Sequence, residues 1–272
     1  KEKLPDATEL NICFFSENGR PSIGTAKTSI EGLANGGRIR NNGIIEHVPL
    51  AHAVKEIDYG QGLKMAMSIP WGDVATAYYS TGIPNITVYT PRSQKGINKI
   101  KKQTTYTLGS NENGNFLKAE AQGKASGLGI EKKINLLETP FINITWKVEK
   151  DLSGIIENSK KGHDYAARVF VVKQMGMTAL SKRAINYAFS SNNSIGQYWN
   201  SPYTKKSVDY ILSTTLENLN EWVTVKANVR EHFKKFHDLD IKEIDGVAVM
   251  TDTDNSKLQA IAYYQNIYFS SE

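Results

Sequence analysis

Asp164 and Arg168 stand four residues apart in the run Asp164-Tyr165-Ala166-Ala167-Arg168-Val169. Side chains alternate along an extended chain, so such a run places these two on one face and His163 and Tyr165 on the other. A guanidinium fork donates and a carboxylate accepts. The pair is therefore a candidate for recognising polar ligand groups, or the two satisfy each other across a sheet. A second cluster, Thr251-Asp252-Thr253-Asp254-Asn255, follows an apolar stretch at residues 247–250. Asp252, Asp254 and Asn255 offer the oxygens that a hard cation takes, which makes a weakly bound calcium the one cofactor this chain suggests. The loop lacks the Gly and the closing Glu of an EF-hand, and an Asp/Asn turn between strands accounts for the same residues. A third cluster is aromatic: Tyr198, Trp199 and Tyr203 lie in Gly196-Gln197-Tyr198-Trp199-Asn200-Ser201-Pro202-Tyr203. Their flat faces and polar tips suit stacking on a sugar ring, or pinning the loop to the domain beneath it.

Other residues point inward. Trp146 and Trp222 fall inside strand-like runs and read as core, while His52, His232 and His237 show no metal-ligand spacing and read as surface or capping residues. The single Cys13, beside Phe14-Phe15, excludes an intrachain disulfide and reads as a buried structural thiol. No Gly-x-Gly-x-x-Gly turn, Walker loop, His-Glu-x-x-His helix or Gly-x-Ser-x-Gly elbow occurs. Ala125-Ser126-Gly127-Leu128-Gly129 follows a polar turn and reads as a turn between strands.

Two textures position these groups. From Gly24 to Tyr89 the chain is punctuated by glycine, with a helix expected over residues 25–33, extended pieces over 47–57 and 62–69, a helix over 73–80 capped by Asp73, and a strand over 86–89. Beyond residue 100 strand-like runs succeed one another at 104–108, 116–121, 141–148, 166–172, 184–189, 208–213, 222–228, 246–251 and 260–269. One short helix interrupts them at 230–236. The fold class expected is mainly β: an antiparallel β-sandwich of jelly-roll, galactose-binding-like type over residues 95–272, preceded by a small α/β fragment over 1–94. With 272 residues, 40% hydrophobic and 22% charged, there is ample chain for two cores and no run that spans a bilayer. The net charge of +5 does not argue for nucleic acid, because its densest basic run, residues 95–102, falls at the expected junction and reads as a charged, protease-sensitive linker. No secretion signal opens the chain, and a fragment or processed form is expected.

Two resemblances rest on longer strings. Leu4-Pro5-Asp6-Ala7-Thr8, Pro21-Ser22-Ile23-Gly24-Thr25-Ala26, Ile30-Glu31-Gly32-Leu33, Gly36-Gly37-Arg38 and the stretch from Ile69-Pro70-Trp71-Gly72-Asp73 to Pro84-Asn85-Ile86 resemble part of the second domain of saccharopine dehydrogenase-like oxidoreductases. The family's Rossmann domain has no counterpart here, so hydride transfer by this chain alone is not implied. Ala125-Ser126-Gly127-Leu128, Thr139-Pro140-Phe141, Trp146-Lys147-Val148, Asp164 to Val169, Ala184-Ile185-Asn186-Tyr187 and Gly246 to Asn255 look like the bacterial DUF3047 family of unknown function. That family usually has Gly-Asp-Asp-Tyr where this chain has Gly162-His163-Asp164-Tyr165.

The expectation is a non-catalytic module that binds a saccharide or another small polyhydroxylated ligand, with Asp164, Arg168, Tyr198, Trp199 and Tyr203 as its contacts. The alternative is a remnant or part of a saccharopine dehydrogenase-like, NAD(P)-dependent oxidoreductase fused to the second piece.

Overall fold

Between Phe141 and Lys150 every second side chain, Ile142, Ile144, Trp146 and Val148, is fully buried, while Thr145, Lys147 and Glu149 between them are not. This period of two marks a strand with one face on a core and one toward water. In the computed structural model, which describes residues 5–15, 36–60, 62–176 and 181–272, that strand is β10 of the larger of two units, Leu108–Glu272; the smaller is Lys1–Thr107.

In the larger unit two sheets pack face to face. One has the order β15 (Val223–Asn228), β10 (Phe141–Lys150), β17 (Gln259–Ser270), β8 (Gly114–Gln122) and β7 (Thr105–Asn111). The other has the order β13 (Tyr198–Ser201), β14 (Thr204–Thr214), β12 (Lys182–Ser190), β11 (Ala167–Gln174), β16 (Glu243–Asp252) and β9 (Ala125–Asn135). Pairing is antiparallel except between β12 and β14. The fold is mainly β and antiparallel, as expected, and neither sheet closes into a barrel. Trp146 lies against the ring of Phe189 at 5.4 Å, and its indole N–H donates to Ser213 Oγ at 2.9 Å, tying sheet to sheet. Tyr264 on β17 ties them again: its hydroxyl donates to the Met250 carbonyl at 2.7 Å.

Residues 125–129 are not a turn. They open β9, where Gly127 pairs with Met250 and Gly129 with Ala248. A Cβ on Gly129 would meet the Cβ of Ala248 at 3.0 Å, so the absent side chain is what lets β9 lie so close. Trp222 also departs from expectation: it precedes β15, is only partly buried, and packs with Phe116 and Tyr263 at 6.0 and 5.9 Å.

In the smaller unit β6 (Asn85–Pro91) runs through a sheet of order β3 (Ile44–Val48), β2 (Gly37–Asn41), β6, β5 (Leu63–Ser68) and β4 (Val54–Asp58), with β1 (Glu9–Cys13) parallel to β6. The expected extended piece over 47–57 is thus two strands with a turn between. Helix α1 (Asp73–Thr81) has Gly72 at its N-cap, and Asp73 sits in its first turn, favourable to the helix dipole but not capping it. Residues 95–102, read as a charged linker, belong largely to helix α2 (Gln94–Lys101). Ser93 caps it by accepting from the Gly96 N–H, and Ile97 is fully buried against Ala51 and Met67. The helix expected over 25–33 lies outside the described residues. Cys13 is half-buried, and burial pushes its thiol above the usual range, the unreactive state expected of a structural cysteine.

Candidate functional site

Strand pairing decides which residues of the six-stranded sheet share its outer face. Arg168 and Phe170 on β11 lie opposite Ala188 and Asn186 on β12, and opposite Met250 and Ala248 on β16. Asn186 in turn lies opposite Asp209 on β14, and Asp209 opposite Trp199 on β13. The inner face carries Val169, Val171, Ile185, Tyr187 and Phe189, all fully buried. The outer face therefore collects Trp199, Asp209, Asn186, Phe170, Arg168 and Asp252 in one band across five strands. At its upper end an open cleft of about 350 Å³ is lined by His163, Arg168, Phe170, Asp209, Asp252 and Tyr203, among others.

One ion pair and one histidine–carboxylate hydrogen bond lie at the cleft floor. Asp209, fully buried, accepts from His163 Nε2 at 2.7 Å and from Asn186 Nδ2 at 2.6 Å. Arg168 Nη2 donates to Asp252 Oδ2 at 2.6 Å, and both residues are almost wholly buried. Burial pulls the Arg168 guanidinium down, but Asp252 and Asp209 outweigh it and hold the cation charged. Burial pushes the Asp252 carboxyl up to about 7; Arg168 opposes the shift and Asp164 adds to it. Asp164 and Arg168 do not pair. Asp164 precedes β11, and its carboxylate accepts from Asn255 N and Nδ2 and from Ser256 N.

The first two sequence clusters thus converge, because β11 pairs with β16 and brings residues 163–165 against residues 252–256. Carboxylate oxygens of Asp164, Asp252 and Asp254 lie within 4.8 Å of one another, a spacing at which a cation can bind. Each oxygen of Asp164 and Asp252 already accepts an N–H, however, Asp252 from Tyr165 N and Arg168. In this geometry the two carboxylates fasten loop to loop. Asn255 does the same, donating to the His163 carbonyl at 3.2 Å and accepting from the Tyr203 hydroxyl at 2.8 Å. Gly162 lets the segment ahead of His163 fold closely on itself: a Cβ there would lie 2.6 Å from the Ile156 carbonyl oxygen.

The three aromatics separate. Tyr203, more than half exposed, stands at the cleft rim with its ring edge-on to His163 at 5.5 Å. Trp199 packs on the buried cluster of Tyr165, Ala188 and Ile211. Tyr198 points to the opposite face, where it meets Phe236 at 4.7 Å. The cleft is lined as well by Phe170, partly exposed, with the Arg168 guanidinium 5.0 Å from its ring centroid; sequence reading placed it in a strand without a role.

Among the described residues, buried side-chain atoms without a hydrogen-bond partner are Tyr59 Oη, Tyr165 Oη, Arg168 Nε, Asn186 Oδ1 and Trp199 Nε1. Four of the five sit on this one sheet face. The Tyr165 hydroxyl and the Trp199 N–H are near enough to interact with each other. Buried polar groups are normally satisfied, so this concentration sets the face apart from the rest of the molecule. Asp209, Asn186 and His163 were not picked out from sequence. The available signal was a polar residue interrupting an apolar strand, as in Val208-Asp209-Tyr210-Ile211 and Ile185-Asn186-Tyr187.

Residues 91–268 match the family described as "Protein of unknown function (DUF3047)". No curated protein matches the chain. Among solved structures, the xyloglucanase domain of NopAA, a type three effector from Sinorhizobium fredii in complex with cellobiose, is 9% identical over 62% of this chain and 93% of that chain, with a TM-score of 0.36. An exo-beta-agarase is 11% identical over 62% of this chain and 22% of that chain, with a TM-score of 0.27. At these scores neither likeness carries weight for the function of this chain. The family match takes in nearly all of both sheets and every residue of the cleft. By this match over more than half its length, the chain belongs to the DUF3047 family.

Proposed function

We propose that the larger unit binds a saccharide or similarly polyhydroxylated ligand in the cleft on the outer face of its six-stranded sheet. One observation carries the reading: charged and amide groups, among them Arg168 with its Nε unmatched, line an open cleft beside the partly exposed ring of Phe170. Each sugar hydroxyl must exchange water for an equivalent partner, and fixed polar groups supply such partners without a further ordering cost. The apolar face of a sugar ring needs a flat surface to cover it, which Phe170 and the Tyr203 rim offer. Buried carboxylates and amides accept and donate from positions already locked by their neighbours, as orientation-specific recognition requires.

A glycan-array screen followed by titration tests this. Phe170→Ala is expected to weaken binding by ~1–3 kcal/mol, the usual scale for truncating an interface aromatic, with the fold retained. Trp222→Ala, on the other sheet, should leave affinity unchanged. A complete lack of glycan binding, or a loss with Trp222→Ala and none with Phe170→Ala, would overturn the proposal. Affinity that appears only with added calcium would make the Asp164, Asp252 and Asp254 trio part of the site.

A further inference from the structure

The cleft does not end at Phe170. Along β11 the next residue on that face is Val172, and along β16 the next are Ala248 and Gly246, opposite Phe170 and Val172. These residues line a second depression of about 490 Å³, together with Gly129, Glu131, Gln174, Lys182 and Asp245. The two depressions thus share one sheet face and meet at the row of Phe170, Ala248 and Gly129. The floor of the second depression includes Gly129, Gly246 and Ala248, which raise no side chain larger than a methyl to block it.

From Asp209 on β14 to Gly129 on β9 the path crosses four strand intervals, about 19 Å at the usual spacing of neighbouring strands. A single sugar ring would occupy only the polar end. The charge along the path also selects. Of the five acids along it, Asp252 is paired with Arg168 and Asp245 with Lys173, which leaves Glu131, Asp209 and Asp254 against Lys182. An anionic chain would meet net repulsion over most of its length.

Accepting that the cleft binds sugars, we infer that its ligand is a linear, uncharged oligosaccharide chain lying across β14, β12, β11, β16 and β9, and not a mono- or disaccharide or a uronate polymer. The polar end fixes one or two units, and the small-residue trough holds the remaining units of the chain.

Titration of neutral gluco-, xylo- and manno-oligosaccharide ladders of one to six units, with oligogalacturonate as the anionic control, reads this out. For the ladder that binds, affinity should rise by about tenfold or more from the disaccharide to the hexasaccharide. Ala248→Leu, which places a side chain across the join, should reduce hexasaccharide affinity to the disaccharide level and leave the disaccharide unaffected. Should that variant lose its melting transition, Lys182→Ala at the exposed far end serves instead, weakening the hexasaccharide alone. Equal affinity for short and long chains, a variant that weakens both alike, or preference for oligogalacturonate would each overturn the inference while leaving a sugar site in place. Binding of no sugar at all would overturn the underlying reading.

Discussion

His232 packs among Tyr187, Tyr210 and Phe236, with ring centroids 4.7–5.7 Å away, and its Nδ1 lies 3.1 Å from the Tyr187 hydroxyl. Burial, with Lys235 adding, lowers this imidazole from 6.5 to about 4. Between those values the unfolded chain takes up a proton that the folded chain refuses, so stability is lost as pH falls from 6.5 toward 4 and is kept above 6.5. Asp252, raised by burial from 3.8 to about 7, works in the opposite sense over the whole of that range. In urea midpoints measured from pH 7 to 4.5, His232→Phe should gain on the parent protein as pH falls, because it removes the histidine's share; a pH slope unchanged in the variant would assign that slope to other groups. Sequence reading took His232 for a surface residue because its aromatic neighbours come from β12, β14 and its own helix. The same limit applied at the cleft. Asp164, Arg168, Asp252, Asp254, Asn255 and Tyr203 were legible as residues with chemistry, but only the β11–β16 pairing shows that Arg168 serves Asp252 and that Asp164 serves Asn255.

At the scale of elements, β10 is the strand whose pattern said most. Its alternation of buried and solvated residues is unbroken from Ile144 to Val148, and Trp146 anchors both sheets through Phe189 and Ser213. Trp146→Ala should cost ~3–5 kcal/mol, the range for emptying a core aromatic site, seen as a lower denaturation midpoint. A loss under 1 kcal/mol would mean that the core closes around the gap. Most strands of the larger unit rich in β-branched and aromatic residues were readable in this way. Several elements were not, β1 and β2 among them, and three show why. Strand β9 hides behind Gly127 and Gly129, which look like turn residues until the closeness of β16 explains them. Strand β13 has only four residues and pairs through a local hairpin. Helix α2 carries so many lysines that its inward side, Ile97 and Ile100, is easily missed, although Ser93 ahead of it is a favourable cap.

At the scale of the molecule, each of the two units has its own buried centre, Ile86, Val88 and Ile97 in the smaller and the two-sheet interior in the larger. Ile97→Asp, which buries an unpaired charge, should destabilise the smaller unit by roughly 3–5 kcal/mol. Calorimetry is expected to show one transition moving and another staying; joint movement of the whole endotherm would mean that the units unfold as one. The order of strands in the larger unit has a further consequence, for synthesis. Strand β17 lies between β10 and β8 in the five-stranded sheet, yet it is made last. Until it leaves the ribosome, β8 and β10 have no shared partner, and their apolar faces wait uncovered. At ordinary elongation rates the roughly 150 residues separating β8 from the end of β17 take about 8–30 s to make, so the nascent chain depends over that interval on whatever shields it from its neighbours.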